Sequence, residues 1–116
     1  MASAVDPSTT AGLDHAGRVF GALSDPTRRA IVRELSIDGP LTATELASRV
    51  GVSRQAAAKH LAELSLAGLA SGERSGRERR FTLRTAPFAE AEAWMRAIGA
   101  TWDQRLEAFR RLVEEG

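Results

Sequence analysis

The chain has 116 residues, of which 43% are hydrophobic and 27% are charged, a composition typical of one globular domain. It contains no cysteine, which excludes disulfides and thiolate metal sites, and no apolar run approaches the roughly 18 residues that span a bilayer. The net charge is only +1, but residues 53–84 hold six Arg and one Lys against three Glu and therefore form a +4 segment. A solvated charged face is the competing interpretation of that segment.

The N-terminal residues differ in character from the rest of the chain. The sequence MASAVDPSTTAG lacks the basic and apolar regions of a signal peptide, so residues 1–12 are predicted to form a disordered tail. Residues 13–116 then form a single domain, because no repeat or linker divides them. The cytoplasm is the expected compartment, and no membrane contact is expected.

Two helices are predicted ahead of the charged segment. Residues 13–23 carry apolar side chains at helical spacing. Asp25 followed by Pro26 is a typical N-cap and first position of a second helix, which should end near Ser36. Leu41 is expected to point inward from a short extended segment after a turn. The apolar positions of the two helices are Leu13, Ala16, Val19, Phe20, Leu23, Ile31, Val32 and Leu35.

The next two helices are predicted to cross closely at a short turn. The third helix follows Thr42 or Ala43 and ends at Gly51, where a left-handed residue fits. Ser53 can cap a fourth helix over about residues 53–67. Small residues at the crossing, Ala47, Gly51 and Ala57, permit the close approach of a helix-turn-helix. An ordinary helical hairpin is the alternative.

A hairpin and a long helix complete the predicted fold. Residues 69–74 and 79–84 have the pattern of two strands around a Gly-containing loop. Residues 88–114 have apolar side chains spaced by threes and fours, with Gly99 as a weak point in the helix. The fold class is therefore mainly α with a small β-hairpin wing, which is a winged helix-turn-helix.

The exposed N-terminal face of the fourth helix suits a DNA major groove. Arg can bind two acceptors of guanine and Gln can pair with adenine, while Lys59 can also bind a phosphate. The helix N-terminus at Ser53 favours a phosphate, whereas His60 is equally compatible with a phosphate contact and a structural role. An Arg on the hairpin loop can enter the minor groove, unless the hairpin is merely solvated. The predicted DNA-binding residues are Ser53, Arg54, Gln55, Ala58, Lys59, His60, Arg77 and Arg79.

The terminal helices predict a homodimer. Residues 13–23 and 88–114 present apolar stripes larger than a small three-helix unit can cover, so pairing across a two-fold axis would bury them. Trp94 and Trp102 could instead line a ligand pocket, although aromatic residues at helical spacing more often belong to a core or an interface. The predicted interface residues are Leu13, Ala16, Phe20, Ile98, Trp102, Leu106 and Phe109.

Three motifs together resemble the ArsR/SmtB family of winged-helix repressors. They are DPTRRAIVREL (25–35), TATELASRVGVSRQAAAKHLAELSLAGL (42–69) and GRERRFTL (76–83), and the resemblance covers about residues 13–114. It implies a homodimer that binds an inverted repeat in double-stranded DNA and blocks transcription. It also implies base contacts from Arg54, Gln55 and Ala58, and a wing at residues 75–79. Many relatives have Ser at the position of Ala58, so here the base contact is either absent or made by the Ala58 methyl group with a thymine methyl group.

The resemblance also bears on metal sensing. One family site uses a Cys-x-Cys pair at positions that correspond here to Thr42 and Thr44, and another uses Asp and His ligands along the last helix, which contains no His here. The chain therefore resembles the branch without a metal site. We expect no metal and no cofactor, and the sequence does not identify an inducer.

Two other function classes compete with DNA binding. A winged-helix protein–protein module that does not read DNA is the alternative, and the +4 segment argues against it. An enzyme is disfavoured because the chain has no Cys nucleophile and no phosphate-binding Gly loop, and neither His belongs to a nucleophile–base arrangement.

Overall fold

The structure is a computed structural model that describes the backbone of residues 10–115 and the side chains of residues 14–114. Five helices and a three-stranded antiparallel sheet make a mainly helical fold with a small sheet, which confirms the predicted fold class. The elements in chain order are α1 (Thr10–Ala22), α2 (Pro26–Asp38), β1 (Leu41–Thr42), α3 (Ala43–Val50), α4 (Arg54–Leu66), β2 (Ala70–Ser75), β3 (Glu78–Leu83) and α5 (Ala86–Glu115).

The first helix begins earlier than predicted. It starts at Thr10, so residues 10–12 belong to α1 and not to the predicted tail over residues 1–12. Ala11 is a strong helix former and the single glycine, Gly12, is tolerated within a helix. Residues 10–12 can therefore extend α1 on the N-terminal side of Leu13. The remainder of the predicted tail, residues 1–9, lies outside the described residues.

The N-cap of α2 is confirmed. The Asp25 carboxylate accepts a hydrogen bond from the Arg28 backbone N–H at 3.0 Å, and Pro26 occupies the first helical turn. The helix ends at Asp38, two residues beyond the predicted end at Ser36. The hydrogen bond from the Arg28 N–H, assisted by nearby His60, holds the pKa of Asp25 below its ordinary value of 3.8.

This cap predicts a specific acid sensitivity. Because the folded-state pKa is lowered, the stabilisation by Asp25 is complete above the unfolded-state pKa and is lost as the pH falls through the folded-state value. Asn caps helices about as well but does not titrate. We expect the free energy of unfolding of the wild type to fall more steeply below pH 3.8 than that of Asp25→Asn, measured by denaturant titration across pH. Identical pH dependence of the two proteins would contradict the assignment.

The hairpin strands differ from the prediction by one residue at each end. Pairing of Ser75 with Glu78 leaves a two-residue turn at Gly76 and Arg77, so each predicted strand boundary moves by one residue. Gly76 has a φ of +65°, and a glycine at the first turn position permits this shortest hairpin. The segment after α2 also pairs with the hairpin, because Leu41 lies opposite Phe81 and gives the strand order β1-β3-β2.

The core lies between α2, α3, α4 and the sheet. Its largest fully buried side chains come from α2, α3, α4 and the residue that precedes β2, and they are Ile31, Leu46, Leu61, Leu64 and Leu69. α1 and α5 pack together beside this core through Ala16, Val19 and Ala91, and the rings of Phe20 and Trp94 meet edge to face at 5.9 Å. α5 begins at Ala86 and not at residue 88, because Pro87 is accommodated in the first helical turn. From Ile98 to residue 114 every α5 residue is exposed.

Candidate nucleic-acid interface

The turn between α3 and α4 has the predicted geometry. Gly51 adopts a left-handed conformation with a φ of +81°, and the backbone N–H groups of Gly51 and Val52 both donate to the Ala47 carbonyl. The Ser53 hydroxyl then accepts from the Ala56 N–H at 3.0 Å and begins α4. Ala47 and Ala57 are buried at the crossing. The corner therefore fixes the direction in which α4 leaves α3.

Replacing the corner glycine should destabilise the fold through backbone strain. A Cβ at Gly51 would meet no atom within 4 Å, so the positive φ is the source of the cost. We expect Gly51→Ala to lower the free energy of unfolding by about 1–3 kcal/mol. Gly17→Ala is a matched control, because Gly17 lies inside α1 with equally open space, and it should raise stability by up to about 1 kcal/mol. Denaturant titrations in which both variants shift equally would contradict this account.

The side chains of α4 divide among three faces. Ala57, Leu61 and Leu64 are fully buried, as predicted. Gln55 and Lys59 are exposed, and helical geometry places both on the side opposite these three residues. Arg54 and Ala58 occupy one flank, where they line a cleft, and His60 occupies the other flank.

The cleft separates the first turns of α3 and α4 from the hairpin and has a volume of about 550 Å³. Thr42 and the first three residues of α3 line one side, and residues 74 and 77–81 of the hairpin contribute most of the other wall. Five arginines and two glutamates give it a net positive charge: Arg54, Arg74, Arg77, Arg79 and Arg80 against Glu45 and Glu78. A concave basic surface of this kind suits a polyanion.

One of the five arginines is neutralised within the protein. Arg80 lies 3.5 Å from Glu45 Oε1 through Nη1 and 3.1 Å from Glu78 Oε2 through Nη2. Glu45 also accepts from the Thr42 backbone N–H while the Thr42 hydroxyl accepts from the Glu45 N–H, which is the capping box of α3. The Thr42 N–H, the Thr42 hydroxyl and Arg80 hold the pKa of Glu45 below its ordinary value of 4.5. The Thr-x-x-Glu spacing is the sequence signal for this box, and it identifies Thr42 as the N-cap where helical periodicity alone allowed Thr42 or Ala43.

The other four arginines keep their charge uncompensated. None of the ion pairs among the described residues involves Arg54, Arg74, Arg77 or Arg79. Arg79 and Phe81 lie two residues apart on the wing strand and therefore share a face, and the Arg79 guanidinium carbon lies 5.7 Å from the Phe81 ring centre. A Cβ on Gly72 would clash with both side chains, so this glycine leaves room for Arg79 to cross the sheet. Arg77 lies in the turn.

His60 lies beside the N-cap of α2 and does not line the cleft. Its Nδ1 lies 3.9 Å from Asp25 Oδ2 at the N-cap of α2, and its side chain is 24% exposed. This position favours the structural role over the phosphate contact, the two alternatives that the sequence left open.

A second surface lies along the outer part of α5. Its large apolar side chains are exposed in the chain as described, namely Met95, Ile98, Trp102, Leu106, Phe109, Leu112 and Val113. Of the predicted interface residues on α1, Phe20 is 39% exposed, whereas Ala16 is fully buried against its own chain. In this chain Ala16 therefore offers no exposed surface that a partner could cover. Burial of the Leu13 side chain lies outside the described residues.

Neither a metal cluster nor a membrane span is found in the part of the chain that the structure describes. No group of three or more His, Cys, Asp and Glu side chains within that part could hold an ion. The two positions that correspond to the family's Cys pair serve other contacts, because Thr42 caps α3 and Thr44 binds Arg54. None of the described helices is long and apolar enough to cross a membrane.

Comparison with known proteins agrees with this architecture. Residues 23–73 match a family described as a helix-turn-helix domain. The transcriptional repressor SdpR of Bacillus subtilis is 35% identical over 77 residues, which are 66% of this chain and 84% of the relative. An ArsR-like transcriptional regulator from Rhodococcus sp. RHA1 is 39% identical with a TM-score of 0.80, and the match covers 89% of this chain and 96% of that one.

A solution structure from Mycobacterium bovis is also similar. It is a homodimeric winged helix-turn-helix DNA-binding domain from a possible ArsR-family regulator, with 26% identity and a TM-score of 0.62 over 93% of this chain and 95% of that one. The chain described here therefore belongs to the ArsR/SmtB family of winged helix-turn-helix transcriptional regulators, as its three sequence motifs predicted.

Proposed function

We propose that this transcriptional regulator is a homodimeric repressor that binds an inverted-repeat operator through α4 and the wing. The main support for the proposal is that the exposed face of α4 is continuous with the basic cleft. The exposed face of α4, with Gln55 and Lys59, adjoins a basic cleft whose far wall is the Arg-rich hairpin. A helix beside a basic wing can enter a major groove while the wing contacts the neighbouring backbone or minor groove.

The residues on these surfaces fall into two roles. Arg54, Gln55 and Ala58 are assigned to base edges, because Arg suits guanine, Gln suits adenine and a methyl group suits thymine. Phosphate contacts are assigned to Lys59, Arg77 and Arg79 and to the first turn of α4 at Ser53. His60 is left out of both sets because it faces Asp25.

Dimerisation is supported by the exposed stripe on α5. A row of large apolar side chains that stays 45–70% exposed is typical of an interface that a second copy covers. The M. bovis relative, whose domain is homodimeric, is consistent with this occupant. Two copies related by a two-fold axis would present two α4 helices to successive major grooves, roughly 34 Å apart. A protein bound across a promoter in this way would obstruct transcription.

Binding to random-sequence duplex DNA tests the electrostatic part of the proposal. Each phosphate contact that a Lys or Arg makes contributes about 0.9 to the slope of log affinity against log salt. We expect a slope of several units for the dimer in anisotropy titrations over a range of salt concentrations. Absence of binding at low salt would favour the protein–protein module instead.

Metal ions should not act as inducers. The chain has no thiol, and the described residues hold no cluster of metal ligands. We expect operator affinity to be unchanged by zinc, cadmium or arsenite at low micromolar concentration in an electrophoretic shift assay, whereas addition of salt should release the DNA. Tight stoichiometric zinc binding that releases the operator would contradict this prediction.

A further inference from the structure

One side-chain hydrogen bond joins the first turns of α3 and α4 at the edge of the cleft. Arg54 Nε donates to Thr44 Oγ1 at 3.1 Å. Thr44 is the second residue of α3 and Arg54 is the first residue of α4, and both side chains line the cleft. The intervening corner at Gly51 brings these two turns together. Arg54 is one of the base-contacting residues predicted from the sequence, whereas no sequence pattern indicates a role for Thr44 in this fold.

This contact differs from the one that holds the neighbouring cleft arginine. Arg80 is paired with two carboxylates, which compensate its charge, whereas Arg54 is oriented by a neutral hydroxyl and belongs to no ion pair among the described residues. A guanidinium has five N–H donors. With Nε engaged by Thr44, four donors on Nη1 and Nη2 remain, and they form the planar fork that matches O6 and N7 of guanine.

Thr44 has no other evident task. The N-cap of α3 is Thr42, and the Thr44 side chain is exposed and not part of the core. Fixing a long, flexible side chain before binding reduces the entropy lost when the contact forms, which is the usual effect of a supporting residue behind a binding residue. This reduction in lost entropy strengthens only a contact that depends on the orientation of the Arg54 guanidinium, such as a bidentate contact with a base.

We propose that Thr44 is a positioning residue that determines specificity: it holds Arg54 Nε so that the Nη1–Nη2 edge reads one guanine in each half-site. This inference rests on the proposed function of α4 as the base-reading helix. It adds a residue of α3 to the specificity determinants, although that residue contacts no base.

The test compares Thr44→Val with Thr44→Ser. Val keeps the shape of Thr but cannot accept a hydrogen bond, whereas Ser keeps the acceptor. Ser48→Ala, at another exposed position of α3 that does not line the cleft, is the matched control. Base preference is measured for each protein by selection from random duplex DNA, and affinity is measured on operator and random duplexes. Melting curves verify that each variant folds.

We expect Thr44→Val to reduce the preference for guanine at one position of each half-site by about ten-fold, and to leave other positions and the salt slope on random DNA unchanged. Thr44→Ser and Ser48→Ala should retain the wild-type preference. Arg54→Ala should lose the same guanine preference, and adding Thr44→Val to it should cause no further loss, because the two residues act through one contact.

Three results would overturn the inference. The first is a Thr44→Val protein that keeps the wild-type guanine preference. The second is an equal loss on operator and random DNA that persists in the Arg54→Ala background, which would make Thr44 a direct backbone contact. The third is a wild-type protein that selects no sequence, which would contradict the proposed function as well; the first two leave that function intact.

Discussion

Trp102→Glu is expected to convert the protein from a dimer to a folded monomer. Trp102 lies at the centre of the α5 stripe and is 59% exposed in the single chain, so its replacement leaves the core of each chain intact. Loss of a buried interface Trp costs about 2 kcal/mol or more, and the two-fold axis doubles this to about 4 kcal/mol, or roughly a thousand-fold in the dimer dissociation constant. A carboxylate buried without a partner adds to the loss.

Gln104→Glu is the matched control for this variant. It introduces the same charge two residues further along α5, on nearly the opposite side of the helix, where Gln104 is exposed. Sedimentation velocity at micromolar concentration should show a dimer for the control and a monomer for Trp102→Glu. A cooperative melting transition of Trp102→Glu should show that its monomer remains folded. The affinity of Trp102→Glu for the operator should be lower than that of the wild type, because a monomer engages only one half-site. A Trp102→Glu protein that sediments as a dimer would move the interface away from α5.

Gln55→Ala is expected to separate base recognition from charge. The residue lies on the exposed face of α4 and carries no charge, so its removal leaves the electrostatics unchanged. Loss of a bidentate contact should weaken operator binding by about 1–3 kcal/mol per half-site and relax the preference at one position in each half-site. Affinity for random DNA and its salt slope should stay at the wild-type values. Equal losses on operator and random DNA would remove Gln55 from the base-reading residues.

Lys59→Ala and Arg77→Ala should give the opposite pattern. Both remove an exposed positive charge, one beside Gln55 on α4 and one in the wing turn. Each is expected to weaken binding to all sequences evenly and to reduce the salt slope by about one per subunit, or nearly two for the dimer. Arg80→Ala should reduce the salt slope less than these two variants do, because Arg80 is already paired with Glu45 and Glu78. An unchanged salt slope for Lys59→Ala and Arg77→Ala would place the phosphate contacts elsewhere, for example on the first turns of α2 or α3.

The features that could be predicted from sequence are the local ones. Asp25, Gly51 and Ser53 each have a conformational or capping preference that acts within three or four residues, and the structure confirms all three. The buried face of α4 followed from helical periodicity, and that in turn defined the exposed face with Gln55 and Lys59. Helical periodicity alone therefore predicts that Gln55 and Lys59 lie on the exposed face of α4.

The features that could not be predicted depend on contacts between distant parts of the chain. The pairing of Arg80 with Glu45 requires β1 to lie beside β3, and periodicity carries no information about that neighbour. Ala16 was assigned to an interface because an apolar stripe does not reveal which side its own chain covers. The contact between Thr44 and Arg54 requires the angle between α3 and α4, which the positive φ at Gly51 helps to set. In each case the residues were identified but their partners were not.

Selection of bound sequences from random duplex DNA, followed by a shift titration of the selected duplex at physiological salt, would show whether the protein recognises an operator. We expect an inverted repeat whose half-sites lie about one helical turn apart, bound at least about a thousand-fold more tightly than random DNA. Enrichment of no sequence, or equal affinity for selected and random duplexes, would contradict the claim that this dimer reads an operator.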